Sequence, residues 1–287
     1  MTAAVTRRAP AKLNLFLRVL AREDDGYHGI ETLFCRLELA DELGVDRVAD
    51  PGVTIVVAGA ETGPAEENLA VRAAQAVLHA TGRRFGVRMT LTKRIPVGAG
   101  LGGGSADAAA ALHAVNELAG NAVPRAELLH AAARLGADVP FCLSDAPLAL
   151  AWGRGERLLR LPPLPRAPVL LLIPPVAIRT AEAYGWVDEA RMPGVRRGGL
   201  ALDLPSLGTW SDVARMAGND FESVVFGRVG PIREAFEALA RTGPLLCRMT
   251  GSGSALFAVY RNEHSREDAA NQLGRKYGTV VFTETAP

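Results

Sequence analysis

The run Ile95-Pro96-Val97-Gly98-Ala99-Gly100-Leu101-Gly102-Gly103-Gly104-Ser105-Ala106-Asp107 narrows what this chain can fold into more than any other stretch. Five glycines in the seven positions 98–104 strip nearly every Cβ from one short loop, so its backbone can take positive φ and come close to a ligand. Residues 86–93 before it alternate like a strand, and Ser105 after it reads as the N-cap of an Ala-rich helix through about residue 119. The first-turn amides of such a helix have no internal partner, and with the aligned peptide dipoles they favour an anion, above all phosphate. Strand, glycine loop and helix together predict a phosphate cradle.

Other readings of the loop fit less well. A tight turn needs one or two glycines and not five. Gly98-x-Gly100-x-x-Gly103 satisfies the dinucleotide fingerprint, but Pro96 intrudes between strand and loop, and no acidic residue closes a second strand about twenty residues on. Glu117 falls inside the helix. A Walker-type loop is excluded because Ser105 follows Gly104 directly where a lysine is required.

With 287 residues, 48% of them hydrophobic, the chain can bury a substantial core and is expected to form two domains. Strands and helices alternate in its second half without a strict βαβ repeat, which predicts an α+β fold. A net charge of +1 with no basic block argues against nucleic acid as the main partner and leaves a small-molecule substrate as the expectation. The apolar stretch 169–173 stops at Pro174-Pro175, far short of the roughly 20 residues of a membrane helix, so no membrane partner is expected. No apolar segment of secretory type precedes Pro10, and Cys35, Cys142 and Cys247 are odd in number and widely spaced; buried, reduced thiols in a cytoplasm fit best. Monomer and homodimer are both compatible with the sequence.

Only three of the 32 basic residues are lysine, namely Lys12, Lys93 and Lys276, so a lysine heading a buried-looking strand calls for a specific reason. Lys12 stands before the apolar run 13–20 and shares a face with Asn14. The turn Asp24-Asp25-Gly26 delivers Tyr27-His28 to a second extended segment. Residues 68–80 read as a helix, as do residues 124–135, stopping at Gly136. Asp138, ahead of Pro140, reads either as an N-cap or Asx turn or as a functional carboxylate. Pro162-Pro163-x-Pro165 marks the candidate domain boundary, and residues 191–199 read as a solvated basic loop. Gly251-Ser252-Gly253-Ser254 joins two further strands, either approaching phosphate or closing a hairpin.

Three separated segments, Pro10-Ala11-Lys12-Leu13-Asn14-Leu15, the loop 96–110 and Leu135-Gly136-Ala137-Asp138-Val139-Pro140-Phe141, together resemble the GHMP kinase superfamily. Asn219-Asp220-Phe221-Glu222 and Thr250-Gly251-Ser252-Gly253-Ser254 extend the resemblance, residues 186–217 fall outside it, and Ala106 stands where the superfamily often has a second serine. The resemblance implies a two-domain GHMP kinase fold: residues 1–163 an ATP-binding domain like the second domain of ribosomal protein S5, residues 164–287 a ferredoxin-like domain, and the active site between them. It implies ATP with Mg²⁺ on its phosphates, no metal ligands being fixed by sequence. Pro96, Gly98, Gly100, Leu101, Gly102, Gly103, Gly104, Ser105 and Ala106 would hold the nucleotide, with Asn68 and Lys93 on its adenine side. Lys12 and Asp138 would act on the attacking hydroxyl, with Asn14, Gly251 and Ser252 near the acceptor. Asp25-Gly26-Tyr27-His28 followed by Glu31-Thr32-Leu33-Phe34 resembles the branch that phosphorylates a diphosphocytidyl-linked methylerythritol in non-mevalonate isoprenoid synthesis; Tyr27 and His28 would then select the cytosine. A kinase of homoserine or of a mevalonate derivative, or a non-catalytic nucleotide-binding regulator, are the competing expectations.

Overall fold

The computed structural model describes residues 3–82, 84–190 and 202–287, and the basic loop expected at 191–199 lies outside the described residues. Two long strands open the chain, β1 (Ala4–Arg22) and β2 (His28–Val48), antiparallel to one another. The apolar run 13–20 is only the far part of β1: the ladder continues through Arg7 opposite Leu43 and Arg8 opposite Glu42, because backbone pairing does not require apolar side chains. The other edge of β2 is shared between β4 (Gly86–Thr92) on its C-terminal half and β5 (Leu148–Gly153) on its N-terminal half. β3 (Val53–Ala58) lies parallel to β4, and β6 (Arg157–Leu161) antiparallel to β5, giving the order β3-β4-β2-β5-β6 with β1 on β2.

The crossover from β3 to β4 carries α1 (Leu69–Ala80), which Asn68 caps by accepting from the Ala70 N–H at 2.9 Å. α2 (Gly103–Leu118) packs against α1 and the sheet through Ala106, Ala108, Ala109, Ala110 and Ala111, all buried; small side chains let these backbones approach. α3 (Arg125–Leu135) and the short α4 (Val139–Ser144) complete this half.

The second half forms its own sheet of β7 (Pro168–Ile173), β8 (Leu246–Met249), β9 (Leu256–Val259) and β10 (Thr279–Glu284), ordered β10-β7-β9-β8 and antiparallel throughout. Fourth, first, third, second is the order expected of a ferredoxin-like domain. Between β7 and β8 run α5 (Thr180–Ala190), α6 (Trp210–Met216), α7 (Asp220–Arg228) and α8 (Gly230–Ala240); α9 (Glu263–Leu273) leads to β10.

The two halves share an interior. One core cluster combines Leu13, Leu15 and Phe16 of β1 with Val169 and Leu171 of β7 and Phe257 of β9. Backbone bonds tie the halves as well, Leu17 N–H to the Gly218 carbonyl at 2.8 Å and Ala286 N–H to the Arg36 carbonyl at 2.9 Å. The prolines at 162–165 lie between the two sheets, in the stretch from β6 to β7. Cys35, Cys142 and Cys247 are buried and unbridged, and burial pushes each thiol up to about 12.

Candidate active site

The glycine loop starts its helix three residues earlier than the serine suggests. Gly102, in the left-handed region at φ 73°, occupies the N-cap, and its carbonyl accepts from the Ala106 N–H at 2.9 Å. Ser105 therefore lies in the first turn of α2 and is not its cap, a correction with a simple cause: the chain turns into the helix at Gly102, whose φ glycine takes without penalty. The first-turn amides remain without partners in the helix, and Ser105 lines an open cleft of about 1330 Å³ with Gly100 and Gly102. Its walls come from both halves of the chain.

Lys12 is fixed to this loop. Its N–H donates to the Leu101 carbonyl at 2.9 Å, and a Cβ on Gly102 would stand 2.9 Å from Lys12 Cγ. The side chain is only 4% exposed; its Nζ reaches Asn14 Oδ1 at 2.8 Å and Asp138 Oδ2 at 3.2 Å, above the Phe34 ring. Asp138 occupies the N-cap position of α4 but makes no capping bond. Its carboxylate, 29% exposed, meets Lys12 and lines the cleft instead, so the capping reading of Asp138 does not hold.

Asn14 works largely as a clip. Its Oδ1 also accepts from the Gly251 N–H at 3.0 Å, and its Nδ2 donates to Thr32 at 2.8 Å, leaving one amide hydrogen over. The second glycine loop is thereby drawn onto the first: Ala255 N–H donates to the Ala99 carbonyl at 3.1 Å, and a Cβ on Gly100 would fall 2.4 Å from the Thr250 carbonyl oxygen. Ser252 is buried at the cleft wall, 3.2 Å from the Thr180 hydroxyl. Gly251 and Ser252 form the hairpin between β8 and β9 and also face the cleft.

Two residues expected beside the adenine turn inward. Asn68 caps α1 and contacts Thr62, close behind the loop, since Leu69 lies 3.8 Å from the Cβ position of Gly104. Lys93 is buried, its ammonium held by Asp41 and, at 2.6 Å, by Asp107 of α2; Asp41 also accepts from the Ile95 N–H at 2.8 Å. This network braces the loop from behind. Burial pushes the Asp107 carboxyl up to about 7 against the pull of Lys93, and its Oδ1 has no hydrogen-bond partner. With the folded pKa above the unfolded 3.8, the folded protein keeps a proton that the unfolded chain releases, so this stabilisation is full below pH 3.8 and is lost as pH rises toward about 7. Denaturation series across that window should show wild type losing more stability with rising pH than Asp107→Asn; parallel profiles would contradict this.

The far end of the cleft was only half visible in the sequence. Tyr27 is 61% exposed, with the Arg154 guanidinium 4.3 Å from its ring centre. His28 is buried, stacked on Tyr184 with ring centres 4.9 Å apart, and its Nε2 lies 2.6 Å from Asp188 Oδ1. Thr180, Tyr184 and Asp188 belong to α5 and line the same cleft. Burial, aided by the charge of Asp138, pushes the Tyr184 hydroxyl up to about 12, so it is neutral.

A helix start with glycine at its N-cap, a buried lysine paired with a carboxylate and an aromatic pocket line one cleft. The family described as GHMP kinases N terminal domain matches residues 68–146, and GHMP kinases C terminal matches residues 201–279. A 4-diphosphocytidyl-2-C-methyl-D-erythritol kinase of Pelotomaculum thermopropionicum is 38% identical over 281 residues, 98% of each chain, and that of Nitratidesulfovibrio vulgaris 39% identical over 289 residues, 98% of this chain and 99% of its own. A crystal structure of 4-(cytidine 5'-diphospho)-2C-methyl-D-erythritol kinase superposes with a TM-score of 0.82 at 36% identity, covering 99% of this chain and 100% of the other. A homoserine kinase from Cytophaga hutchinsonii, at 19% identity and TM-score 0.70, shares the fold. The chain belongs to the 4-diphosphocytidyl-2-C-methyl-D-erythritol kinase family of GHMP kinases. No helix among the described residues is long and apolar enough to cross a membrane.

Proposed function

We propose that the chain transfers the γ-phosphate of ATP to a hydroxyl of 4-diphosphocytidyl-2-C-methyl-D-erythritol, with residues 1–163 carrying the nucleotide and the acceptor lying between them and residues 164–287. The observation that carries this reading is the placement of the Lys12–Asp138 pair in one cleft with the glycine loop and with the Tyr27, His28 and Tyr184 pocket. Phosphoryl transfer asks a protein mainly to position groups and neutralise charge. The amides opening α2 take the nucleotide phosphates. Asp138 orients the acceptor hydroxyl and receives its proton, while the Lys12 ammonium offsets charge gathering beside it. Lys12, sealed by Phe34 and fixed to Leu101, is set in place before substrate arrives.

Oxygen donors suit Mg²⁺, which binds mainly through substrate phosphates, and the Ser105 hydroxyl on the cleft wall is a donor of that kind. When bound it neutralises phosphate charge. The acceptor's cytosine lies at Tyr27 and His28, where one face of Tyr27 is already covered by Arg154 and the other remains for the base. Base stacking is worth roughly 1 to 3 kcal/mol, so Tyr27→Ala should raise the acceptor KM by about 5- to 150-fold and leave ATP affinity alone. Steady-state kinetics with each substrate varied will check it. Phosphorus NMR of an incubation with ATP, Mg²⁺ and the acceptor tests the proposal itself. A new phosphomonoester on the acceptor supports it, and ATP left intact would count against it.

A further inference from the structure

The cleft holds a buried histidine paired with a carboxylate that the transfer does not use. His28 Nε2 and Asp188 Oδ1 are 2.6 Å apart, the imidazole side chain 5% and the carboxylate 30% exposed. Arg22 lies 3.7 Å from the other oxygen of Asp188, keeping an opposite charge beside the carboxylate, and Tyr184 stacks on the ring at an interplanar angle of 17°. A carboxylate only accepts, so Nε2 must carry the hydrogen. Nδ1 makes no hydrogen bond among the described residues, and His28 lines the cleft.

Which ring nitrogen of a histidine bears the proton is set by the bond the other one makes. We infer that Asp188 is a positioning residue for base selection: it holds His28 as the Nε2–H tautomer, so that Nδ1 presents a bare acceptor to the 4-amino group of cytosine. The inference rests on the proposed acceptor and names how that site tells its base from uracil. Cytosine offers an N–H₂ donor at this edge, whereas uracil offers a carbonyl oxygen that would face the Nδ1 lone pair. The opposite tautomer, or the imidazolium, would reverse the preference because Nδ1 would then donate. The Tyr184 stack and the Asp188 bond both come from α5, so the selecting ring of the first half is set by the second.

Two measurements test the inference. Nitrogen-15 NMR of histidine-labelled wild-type protein, without ligand, reads the His28 tautomer directly: protonated Nε2 with bare Nδ1 is expected, and a protonated Nδ1 at the assay pH overturns the inference with no variant made. The second compares kcat/KM for the cytidine acceptor and its uridine counterpart. A site built around one hydrogen bond discriminates by about 10²-fold or more, and Asp188→Asn, whose amide can accept or donate, should cut that ratio by about tenfold, chiefly through the KM of the cytidine acceptor. Asp188→Glu, which keeps a carboxylate, should recover part of it. An unchanged ratio in Asp188→Asn overturns the role of Asp188 and leaves the proposed reaction standing. Wild-type enzyme that turns over neither acceptor removes the reaction itself.

Discussion

Replacing Asp138 with asparagine should lower kcat by about 10²-fold or more, the scale of acid–base groups, while ATP binds nearly as before. Asparagine preserves the size of the side chain and its capacity to cap, so a structural role predicts near-normal turnover. Asp138 makes no capping bond and directs its carboxylate to Lys12 at 3.2 Å. Stability should fall as well, because Lys12 is buried and loses a carboxylate partner, although Asn14 still accepts from its ammonium. Stopped-flow turnover beside an ATP titration separates the outcomes. Wild-type kcat in the variant would return Asp138 to the backbone turn it sits in.

Gly102→Ala should weaken ATP by about tenfold or more and lower kcat as well, a combined loss that a cradle residue alone would not give. Two effects coincide there. The residue needs φ 73°, which costs an L-residue about 1 to 2 kcal/mol, and its Cβ would press on Lys12 Cγ at 2.9 Å. Gly120, just after α2, has the same φ with nothing within 4 Å of its Cβ position, so Gly120→Ala is the control for backbone strain. ATP affinity and kcat measured for both variants, with thermal unfolding, decide the matter. Equal loss of function in the two would mean that strain, and not the displacement of Lys12, is responsible.

Those two sites were legible because their signals are local. Five glycines before an alanine-rich helix leave few folds open, and the aspartate before Pro140 stood out once Lys12 had been noticed. What local pattern misread was the start of α2, where the chain enters the helix at a glycine in the left-handed region. What it could not reveal was partnership across the chain. Nothing around Asp41 or Asp107 announces that both close on Lys93, and Tyr184 and Asp188 look like ordinary helix positions until α5 lies over His28. Of the two residues expected on the adenine side, Lys93 is buried in ion pairs and Asn68 caps α1.

The central claim is that this cleft phosphorylates a cytidine-bearing alcohol, and a competition tests it most directly. Enzyme, limiting ATP and Mg²⁺ are mixed with equal amounts of 4-diphosphocytidyl-2-C-methyl-D-erythritol, homoserine and mevalonate, and the phosphorylated products are resolved by mass spectrometry. The account predicts that the transferred phosphate is found on the cytidine-bearing alcohol, and that Asp138→Asn makes little of that product in the same time. Phosphate recovered on homoserine or mevalonate, with the cytidine compound untouched, would contradict it.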